Sequence, residues 1–243
     1  MTYCVGLQLN TGLVFLSDTR TNAGVDNIST YRKLFTWEVP GDRVMVLMTA
    51  GNLATTQAVV SLLDERNVAP SERTPSLLTV PSMFQAARLV GQTLRHVIDE
   101  TSQTGQDAAG SFGATLILGG QVKGSPPRLY LIYPEGNFVE AQPDTPFFQI
   151  GETKYGRPIL VRAYDPDMTF DEATKLLMVS FDSTIRANLS VGTPLDLQVL
   201  EADALRLGIA RRIEDTDEDW RAISDGWSDA LRMAFASLPG VTL

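Results

Sequence analysis

Histidine and cysteine are nearly absent from this chain of 243 residues, which contains one of each, His96 and Cys4. A single cysteine cannot form an internal disulfide, so the chain is not a secreted scaffold held together by disulfides. One cysteine and one histidine also do not make a zinc site of the usual Cys/His kind. An enzyme of the Ser-His-Asp or Cys-His type would have to rely on His96 alone for proton transfer.

Basic residues are outnumbered as well, with 20 Lys and Arg against 29 Asp and Glu and a formal net charge of −9. Binding to nucleic-acid phosphates needs clustered Lys and Arg, so this balance argues against a nucleic-acid partner. No apolar run approaches the roughly 18 residues of a membrane span, and the N-terminus lacks the basic and apolar regions of a signal peptide. We therefore expect a cytoplasmic protein with no membrane association.

Common nucleotide, metal and hydrolase motifs are missing too. The sequence contains no G-x-x-x-x-G-K-[ST], no G-x-G-x-x-G after a predicted strand, no H-E-x-x-H and no G-x-S-x-G. The acidic segment 214–219 lacks the spaced ligands of a calcium loop and is interpreted as the solvated start of a helix. His96 lies on a predicted helix whose core face includes Val97, so we expect it to have a surface or packing role.

Hydrophobic periodicity predicts blocks of antiparallel strands separated by pairs of helices. The expected strands are 3–9, 13–16, 33–38, 43–50, 112–118, 128–133, 138–141, 147–150 and 195–199. The expected helices are 51–67, 82–100, 155–163, one that begins at the capping-box pair Thr169 and Glu172, and 220–235. The second strand is expected to end at 17–20, the polar stretch after it, to about Tyr31, is expected to be a loop, and Gly119-Gly120 is expected to be a turn.

This order differs from the βαβ alternation of a doubly wound nucleotide-binding fold. Two antiparallel sheets with helix pairs on their outer faces satisfy it, which predicts an α+β fold of the four-layer αββα sandwich type. No repeat, low-complexity block or linker divides the sequence. Residues 1–243 are therefore expected to form a single domain.

Thr2 offers a catalytic arrangement that needs no histidine. Removal of Met1 would expose the α-amine of Thr2, and an N-terminal threonine attacks through Oγ while its own amine takes the proton. Such an amine titrates at about pH 8, much closer to neutrality than a lysine side chain. For Thr2 alone, the simpler interpretation is that the residue has no catalytic role, since many proteins begin with Met-Thr for no chemical reason.

Three further positions strengthen this hypothesis. Asp18 ends the second predicted strand, Lys33 begins the third, and Gly51 follows the fourth at the start of a helix. If Thr2 begins the first strand, the ends of these neighbouring strands can converge on it. Taken singly, Asp18 and Lys33 are equally compatible with a surface ion pair, and Gly51 with an ordinary turn.

This set resembles a known family. Thr2, Asp18-x-Arg20, Lys33 and the Ala50-Gly51 junction are similar to proteasome β-type subunits and HslV, which are N-terminal-nucleophile hydrolases with the αββα sandwich. A more specific resemblance, to Anbu, a family of bacterial proteasome homologues, extends through segments 1–6, 17–28, 40–43 and 50–56.

The resemblance implies a role for each matching position. Thr2 would be the nucleophile, Lys33 would keep it poised, and Asp18 would orient Lys33. The Gly51 N–H would donate to the oxyanion. Ser190 matches a serine of the family's active site, and substrate binding would fall on Arg20, Thr21, Asn22 and Gly51. No metal or organic cofactor is implied.

Supporting positions depart from the family pattern. A serine near the family's active site falls here on Glu152, or on Thr153 with a small shift. The aspartate that precedes the family's second serine is Ala187, and a substrate-binding threonine falls on Asn22. Narrow specificity or low basal activity is therefore expected.

The resemblance also implies partners. We expect a peptide or amide substrate and a homo-oligomer, as a ring, stacked rings or an open spiral of about a dozen subunits. The sequence carries no ATPase module and identifies no unfolding partner. Two alternatives remain: the same fold used as a non-catalytic ring or spiral scaffold, and an acyl-transfer enzyme that acts on a small non-peptide amide.

Overall fold

The computed structural model describes residues 2–22, 28–68, 75–102 and 112–242. Its strands are β1 (Tyr3–Leu9), β2 (Gly12–Asp18), β3 (Arg20–Asn22), β4 (Ile28–Thr30), β5 (Leu34–Val39), β6 (Arg43–Gly51), β7 (Ala114–Val122), β8 (Arg128–Ile132), β9 (Phe138–Glu140), β10 (Phe147–Gly151), β11 (Leu195–Glu201) and β12 (Ala210–Ile213). Its helices are α1 (Leu53–Val68), α2 (Met83–Ser102), α3 (Arg157–Ala163), α4 (Phe170–Ala187) and α5 (Glu218–Ala236).

Two antiparallel five-stranded sheets form the centre of the fold. The first has the order β10-β1-β2-β11-β12 and the second the order β5-β6-β7-β8-β9, while β3 and β4 pair separately. The turn at Asn10-Thr11 joins β1 to β2 in the predicted hairpin, with Leu9 opposite Gly12. β2 is buried along its whole length, as its continuous apolar sequence predicts for a strand covered on both faces.

Apolar side chains fill the three interfaces between the four layers of the fold. Cys4 and Phe15 of the first sheet pack against Val46 and Ile117 of the second. The outer face of the second sheet is covered by α1 and α2, and that of the first by α3, α4 and α5. The predicted α+β class and the four-layer αββα arrangement are therefore confirmed.

The helix and strand predictions hold for most of the chain, including the capping box at the start of α4. There the Thr169 hydroxyl accepts from the Glu172 N–H, while the Glu172 carboxylate accepts from the Thr169 N–H. Among the described residues, no helix has the length and apolar character needed to cross a membrane.

Two predictions need correction. Gly119-Gly120 is not a turn but lies inside β7, paired with β6 and β8. Glycine stands there because a Cβ at Gly119 would lie 2.5 Å from the Phe15 ring and one at Gly120 would lie 2.2 Å from the Val44 carbonyl oxygen. These glycines let the strand and the sheets approach closely. The stretch after Arg20, to about Tyr31, is also not wholly a loop, since the short pair β3 and β4 lies at its two ends. Residues 23–27 of that segment lie outside the described residues.

Candidate active site

Thr2 directly precedes β1 and lies between the ends of the neighbouring strands β2 and β10. It is 8% exposed, and its carbonyl oxygen accepts a hydrogen bond of 2.7 Å from the Glu152 N–H. Gly151 lies opposite Tyr3 across the sheet. Its φ is +84°, and a Cβ there would lie 1.9 Å from the Thr2 carbonyl oxygen, so glycine is required. The backbone beside Thr2 is thus held tightly by the end of β10.

Asp18 ends β2 and joins the residue after Thr2 to Lys33. One of its carboxylate oxygens, Oδ1, accepts from the Tyr3 N–H at 3.0 Å and from Lys33 Nζ at 2.8 Å. Lys33 Nζ also donates to the Arg20 carbonyl oxygen at 2.6 Å. The Lys33 and Asp18 side chains are 5% and 0% exposed. The predicted pair is therefore a buried ion pair beside Thr2 and not a surface one.

Burial governs the acid–base properties around this pair. It raises the pKa of the Asp18 carboxyl, and the Lys33 ammonium and the Tyr3 N–H oppose that rise. Burial also raises the pKa of the Cys4 thiol well above its ordinary value, with a further contribution from the Asp18 charge. Cys4 is therefore a neutral, packed thiol, and Lys33 with Asp18 supplies the local charge.

Gly51 ends β6 at the same edge of the sandwich. Its φ is +116°, and a Cβ there would lie 2.5 Å from the Gly113 carbonyl oxygen. The Thr49 N–H donates to the Lys33 carbonyl oxygen, whereas the Asn52 N–H donates to the Gly113 carbonyl oxygen. Because amides alternate along a strand, the Gly51 N–H points to the same side as that of Thr49, beyond the start of β5. The Asn52 carboxamide accepts from the Thr55 N–H and caps α1 directly behind it.

Ser190 lies in the turn that follows α4, and Arg20 reaches the same turn. The Arg20 guanidinium donates to the Leu189 carbonyl oxygen at 3.0 Å and lies against Gly192. The Ser190 N–H donates to the Asn188 side-chain oxygen. Through Arg20, whose carbonyl oxygen binds Lys33, this turn is connected to the ion pair beside Thr2.

The remaining predicted positions are less closely tied to this centre. Thr21 lies in β3 opposite Ser29, half-buried. The Asn22 backbone pairs with Ile28, and its side chain lies outside what the structure describes. His96 is exposed on α2 beside Glu100, in agreement with the predicted surface role. A cavity of about 650 Å³ between α3, α4 and α5 contains none of these residues, so it is separate from this site.

Sequence reasoning missed two contributions. The Tyr3 hydroxyl hydrogen-bonds to Ser180 at 2.7 Å and accepts from Gln149 at 2.6 Å, which anchors β1 next to Thr2. The Glu152 carboxylate accepts from Asn188 at 2.9 Å. The partners lie 177, 146 and 36 positions away in the chain, so no local motif signals them. No described group of three or more His, Cys, Asp or Glu side chains is arranged to hold a metal ion.

Comparison with known proteins agrees with this geometry. The family model described as Proteasome subunit matches residues 2–200. The chain is 24% identical over 204 residues to "Proteasome subunit beta 2" of Pyrobaculum neutrophilum, covering 83% of this chain and 90% of that protein.

Solved structures of Anbu proteins match nearly the whole chain. The Anbu (Gly-1) mutant from Hyphomicrobium sp. is 51% identical with a TM-score of 0.92, covering 100% of both chains. Anbu (ancestral beta-subunit) from Yersinia bercovieri is 48% identical with a TM-score of 0.92, covering 99% of this chain and 100% of that one. The structure "Helical Assembly of the Anbu Complex from Pseudomonas aeruginosa" is 48% identical with a TM-score of 0.91, covering 99% of this chain and 98% of that one. The chain therefore belongs to the proteasome subunit family and, within it, to the Anbu proteins.

Proposed function

We propose that this chain is a threonine-type hydrolase that cleaves peptide or other amide bonds through Thr2, after removal of Met1. The observation that carries the proposal is the buried Lys33–Asp18 pair, whose Asp18 Oδ1 also binds the N–H of Tyr3, the residue next to Thr2. Placing two charges at 5% and 0% exposure costs several kcal/mol per ion before their attraction is counted, so such a pair needs a reason. Poising a nucleophile is one.

The chemistry divides between Thr2 and its neighbours. Oγ of Thr2 attacks the carbonyl carbon of the scissile amide while the free α-amine of Thr2 accepts the hydroxyl proton. The Lys33 ammonium favours the negative charge that develops on Oγ. The amine then passes its proton to the leaving nitrogen as the C–N bond breaks, which leaves an ester on Thr2. Water attacks that ester, with the amine again as base, and restores Oγ–H.

The oxyanion of each tetrahedral intermediate is assigned to the Gly51 N–H. Its direction beyond the start of β5 and the capped start of α1 behind it support this role, because an amide at a helix N-terminus favours a developing negative charge. Ser190 is assigned a supporting catalytic role, and Arg20, Thr21 and Asn22 the binding of the substrate backbone. Residues 1–243 are proposed to act as one domain.

Assembly belongs to the same proposal. The relative from Pseudomonas aeruginosa is described as a helical assembly. We infer that this chain forms a homo-oligomer, as a ring, stacked rings or an open spiral, in which Thr2 faces a shared interior. An oligomer of this kind would restrict substrates to chains that can enter it.

The mass of the N-terminal peptide and covalent labelling test the proposal together. We expect loss of Met1, and modification of Thr2 by a β-lactone, whose strained ester acylates the nucleophile. The variant Thr2→Ala should remain unlabelled. Thr11→Ala removes a hydroxyl at the exposed turn at the other end of β1 and should label like the wild type. Retention of Met1 together with no labelling would contradict the proposal.

A non-catalytic scaffold is the second candidate, and Glu152 and Ala187 in place of the family's serine and aspartate favour it. In that case Thr2→Ala and Lys33→Ala would leave the cellular phenotype of the wild type intact. An enzyme for small amides is distinguished by its products, since it would turn over small amides and leave peptides uncut.

A further inference from the structure

A continuous set of hydrogen bonds joins Thr2 to the turn that carries Ser190. The Glu152 N–H donates to the Thr2 carbonyl oxygen at 2.7 Å. The carboxylate of the same Glu152 accepts from the Asn188 side-chain amide at 2.9 Å. The side-chain oxygen of Asn188 in turn accepts from the Ser190 N–H at 3.0 Å. Two side chains, those of Glu152 and Asn188, therefore connect the backbone of the nucleophile to the backbone of Ser190.

Glu152 is an unusual residue for this place. It is 7% exposed, and a buried carboxylate is costly unless its oxygens are hydrogen-bonded. Both are, because Oε1 accepts from the Lys154 N–H at 3.3 Å and Oε2 accepts from Asn188. The carboxylate is thus used as a double acceptor that fixes the chain on both sides of it.

Asn188 is equally constrained by its partners. Its side-chain amide group donates to Glu152, so its carbonyl oxygen must face the Ser190 N–H. It also ends α4, where its own N–H donates to the Thr184 carbonyl oxygen. A residue at this point needs one donor and one acceptor on the same short side chain, which asparagine supplies and aspartate does not.

The turn after α4 is held from the opposite side by Arg20. Its guanidinium binds the Leu189 carbonyl oxygen, and its own carbonyl oxygen binds Lys33. Leu189 is therefore tied to the Lys33 side of the site, while Asn188 and Ser190 are tied to the Thr2 side. Loss of the Glu152–Asn188 bond would leave the turn fixed at one side only.

We propose that Glu152 and Asn188 are positioning residues that hold Ser190 and the backbone of Thr2 in a fixed relation, in place of the hydroxyl and carboxylate supports that the proteasome pattern has there. This inference rests on the proposed function for its catalytic consequence. Neither residue reacts with substrate. The hydrogen bond between them carries this positioning role, and the Glu152 carboxylate contributes as a hydrogen-bond acceptor and not through its negative charge.

A reciprocal exchange of the two side chains tests this inference. Asn188→Asp keeps the acceptor for Ser190 but sets two carboxylates against each other, so it breaks the link. Labelling of Thr2 by the β-lactone should slow, on the order of 100-fold for a shift of about 1 Å. The double variant E152Q/N188D has the same net charge as the wild type and rebuilds the link in reverse, with the amide at position 152 donating to the carboxylate at position 188. Its labelling rate should return close to that of the wild type.

Two single variants serve as controls. Glu152→Gln can keep the acceptor for Asn188 and loses only the longer bond from the Lys154 N–H, so it should have a mild effect. Asn10→Asp makes the same chemical change in another asparagine–carboxylate pair, since Asn10 donates to Asp167 at 2.6 Å. It lies at the other end of β1, about 26 Å from Thr2 at strand geometry, and should label like the wild type.

Amide hydrogen exchange separates this inference from the proposed function. Repulsion between the two carboxylates in Asn188→Asp should free the turn on the Thr2 side, even though the acceptor for Ser190 remains. Exchange at the Glu152 and Ser190 N–H groups should therefore be faster in Asn188→Asp and slow again in E152Q/N188D, whether or not the wild type is catalytic. An unlabelled wild type would reject the hydrolase, while the exchange rates would still decide the positioning. The inference is overturned if Asn188→Asp matches the wild type in exchange, or if the double variant is no better than Asn188→Asp.

Discussion

Lys33 and Asp18 join the two sheets of the sandwich through one ion pair. Asp18 is the last residue of β2 in the first sheet, and Lys33 directly precedes β5 in the second. Their charged atoms lie 2.8 Å apart, and both side chains are almost fully buried. The pair therefore links β2, which ends beside Thr2, to the sheet in which β6 ends at Gly51, so that stability and the proposed chemistry depend on the same contact.

Breaking this pair from one side should be more harmful than removing it altogether. Lys33→Met leaves the Asp18 carboxylate buried without its counter-charge, which is expected to cost about 3–5 kcal/mol in the free energy of unfolding. The double variant Lys33→Met with Asp18→Asn should be more stable than Lys33→Met alone. Urea unfolding measures both. Equal stability of the single and double variants would mean that the charge of Asp18 is relieved in another way.

Arg95 and Asp99 offer a matched control on the surface of α2. Their charged atoms lie 3.4 Å apart, with side chains 66% and 59% exposed. Exposed pairs contribute little because water screens them. Arg95→Met should therefore unfold at nearly the same urea concentration as the wild type, and the difference from Lys33→Met isolates the effect of burial.

Gly51→Ala should disrupt both the fold and the proposed oxyanion site. The added Cβ would lie 2.5 Å from the Gly113 carbonyl oxygen at a φ of +116°, so β6 must shift away from β7. We expect a lower midpoint in thermal unfolding and loss of Thr2 labelling. Gly226→Ala is the control, because it has open space inside α5 and should stabilise the protein by about 1 kcal/mol. If Gly51→Ala unfolds at a lower temperature, which shows that the backbone has shifted, and still labels as fast as the wild type, the Gly51 N–H is not the oxyanion donor.

The centre of the candidate site was predictable because its residues lie at strand ends. Asp18 closes an apolar strand, and Gly51 separates a strand from a helix, so the sequence pattern alone fixes their place in a layered fold. Their convergence follows from antiparallel pairing. The pattern does not determine burial, since the sequence alone is compatible with Asp18 and Lys33 as a surface pair. In the structure β11 pairs with β2 along its length, so β2 is not at the edge of the sheet.

Other features are set by tertiary contacts that no local pattern reports. The sequence alone predicts a turn at Gly119. In the structure, Phe15 of the other sheet occupies the space that a side chain at Gly119 would need. β12 was not predicted, because Ala210, Arg211 and Arg212 are exposed and only Ile213 is buried. The Glu152–Asn188 bond joins two loops, and neither residue has a helix or strand periodicity that would place it.

Tyr3 should make the stability of the protein fall in alkaline solution. Burial raises the pKa of its phenol from 10.0 to about 12, so the folded state keeps the proton more strongly than the unfolded state. Its contribution is complete below pH 10 and is lost as the pH rises to about 12, which amounts to about 3 kcal/mol in the free energy of unfolding. Tyr3→Phe should therefore show a shallower loss of stability across this range when urea unfolding is measured at several pH values.

Ser180→Ala is the control for the Tyr3 prediction. It removes the hydrogen-bond partner of the Tyr3 hydroxyl but leaves the phenol in place. We expect lower stability at neutral pH and an alkaline loss as steep as that of the wild type. Burial raises the pKa of Tyr164 to about 12 as well, so the slope of Tyr3→Phe should be reduced but not abolished. A slope unchanged by Tyr3→Phe would contradict the assignment.

Cys4 should report on the opening of the two sheets. It is the single cysteine, it is fully buried between the sheets, and its Sγ lies 3.8 Å from the carbonyl oxygen of Thr49, whose N–H binds Lys33. The thiolate is the form of cysteine that attacks such reagents, and burial and the raised pKa of Cys4 both suppress that attack. Iodoacetamide should therefore modify the native protein far more slowly than the urea-unfolded chain. Lys33→Met should accelerate the reaction, because separation of the sheets becomes easier, whereas Arg95→Met should not. Equal native rates for Lys33→Met and the wild type would show that this ion pair does not hold the sheets together around Cys4.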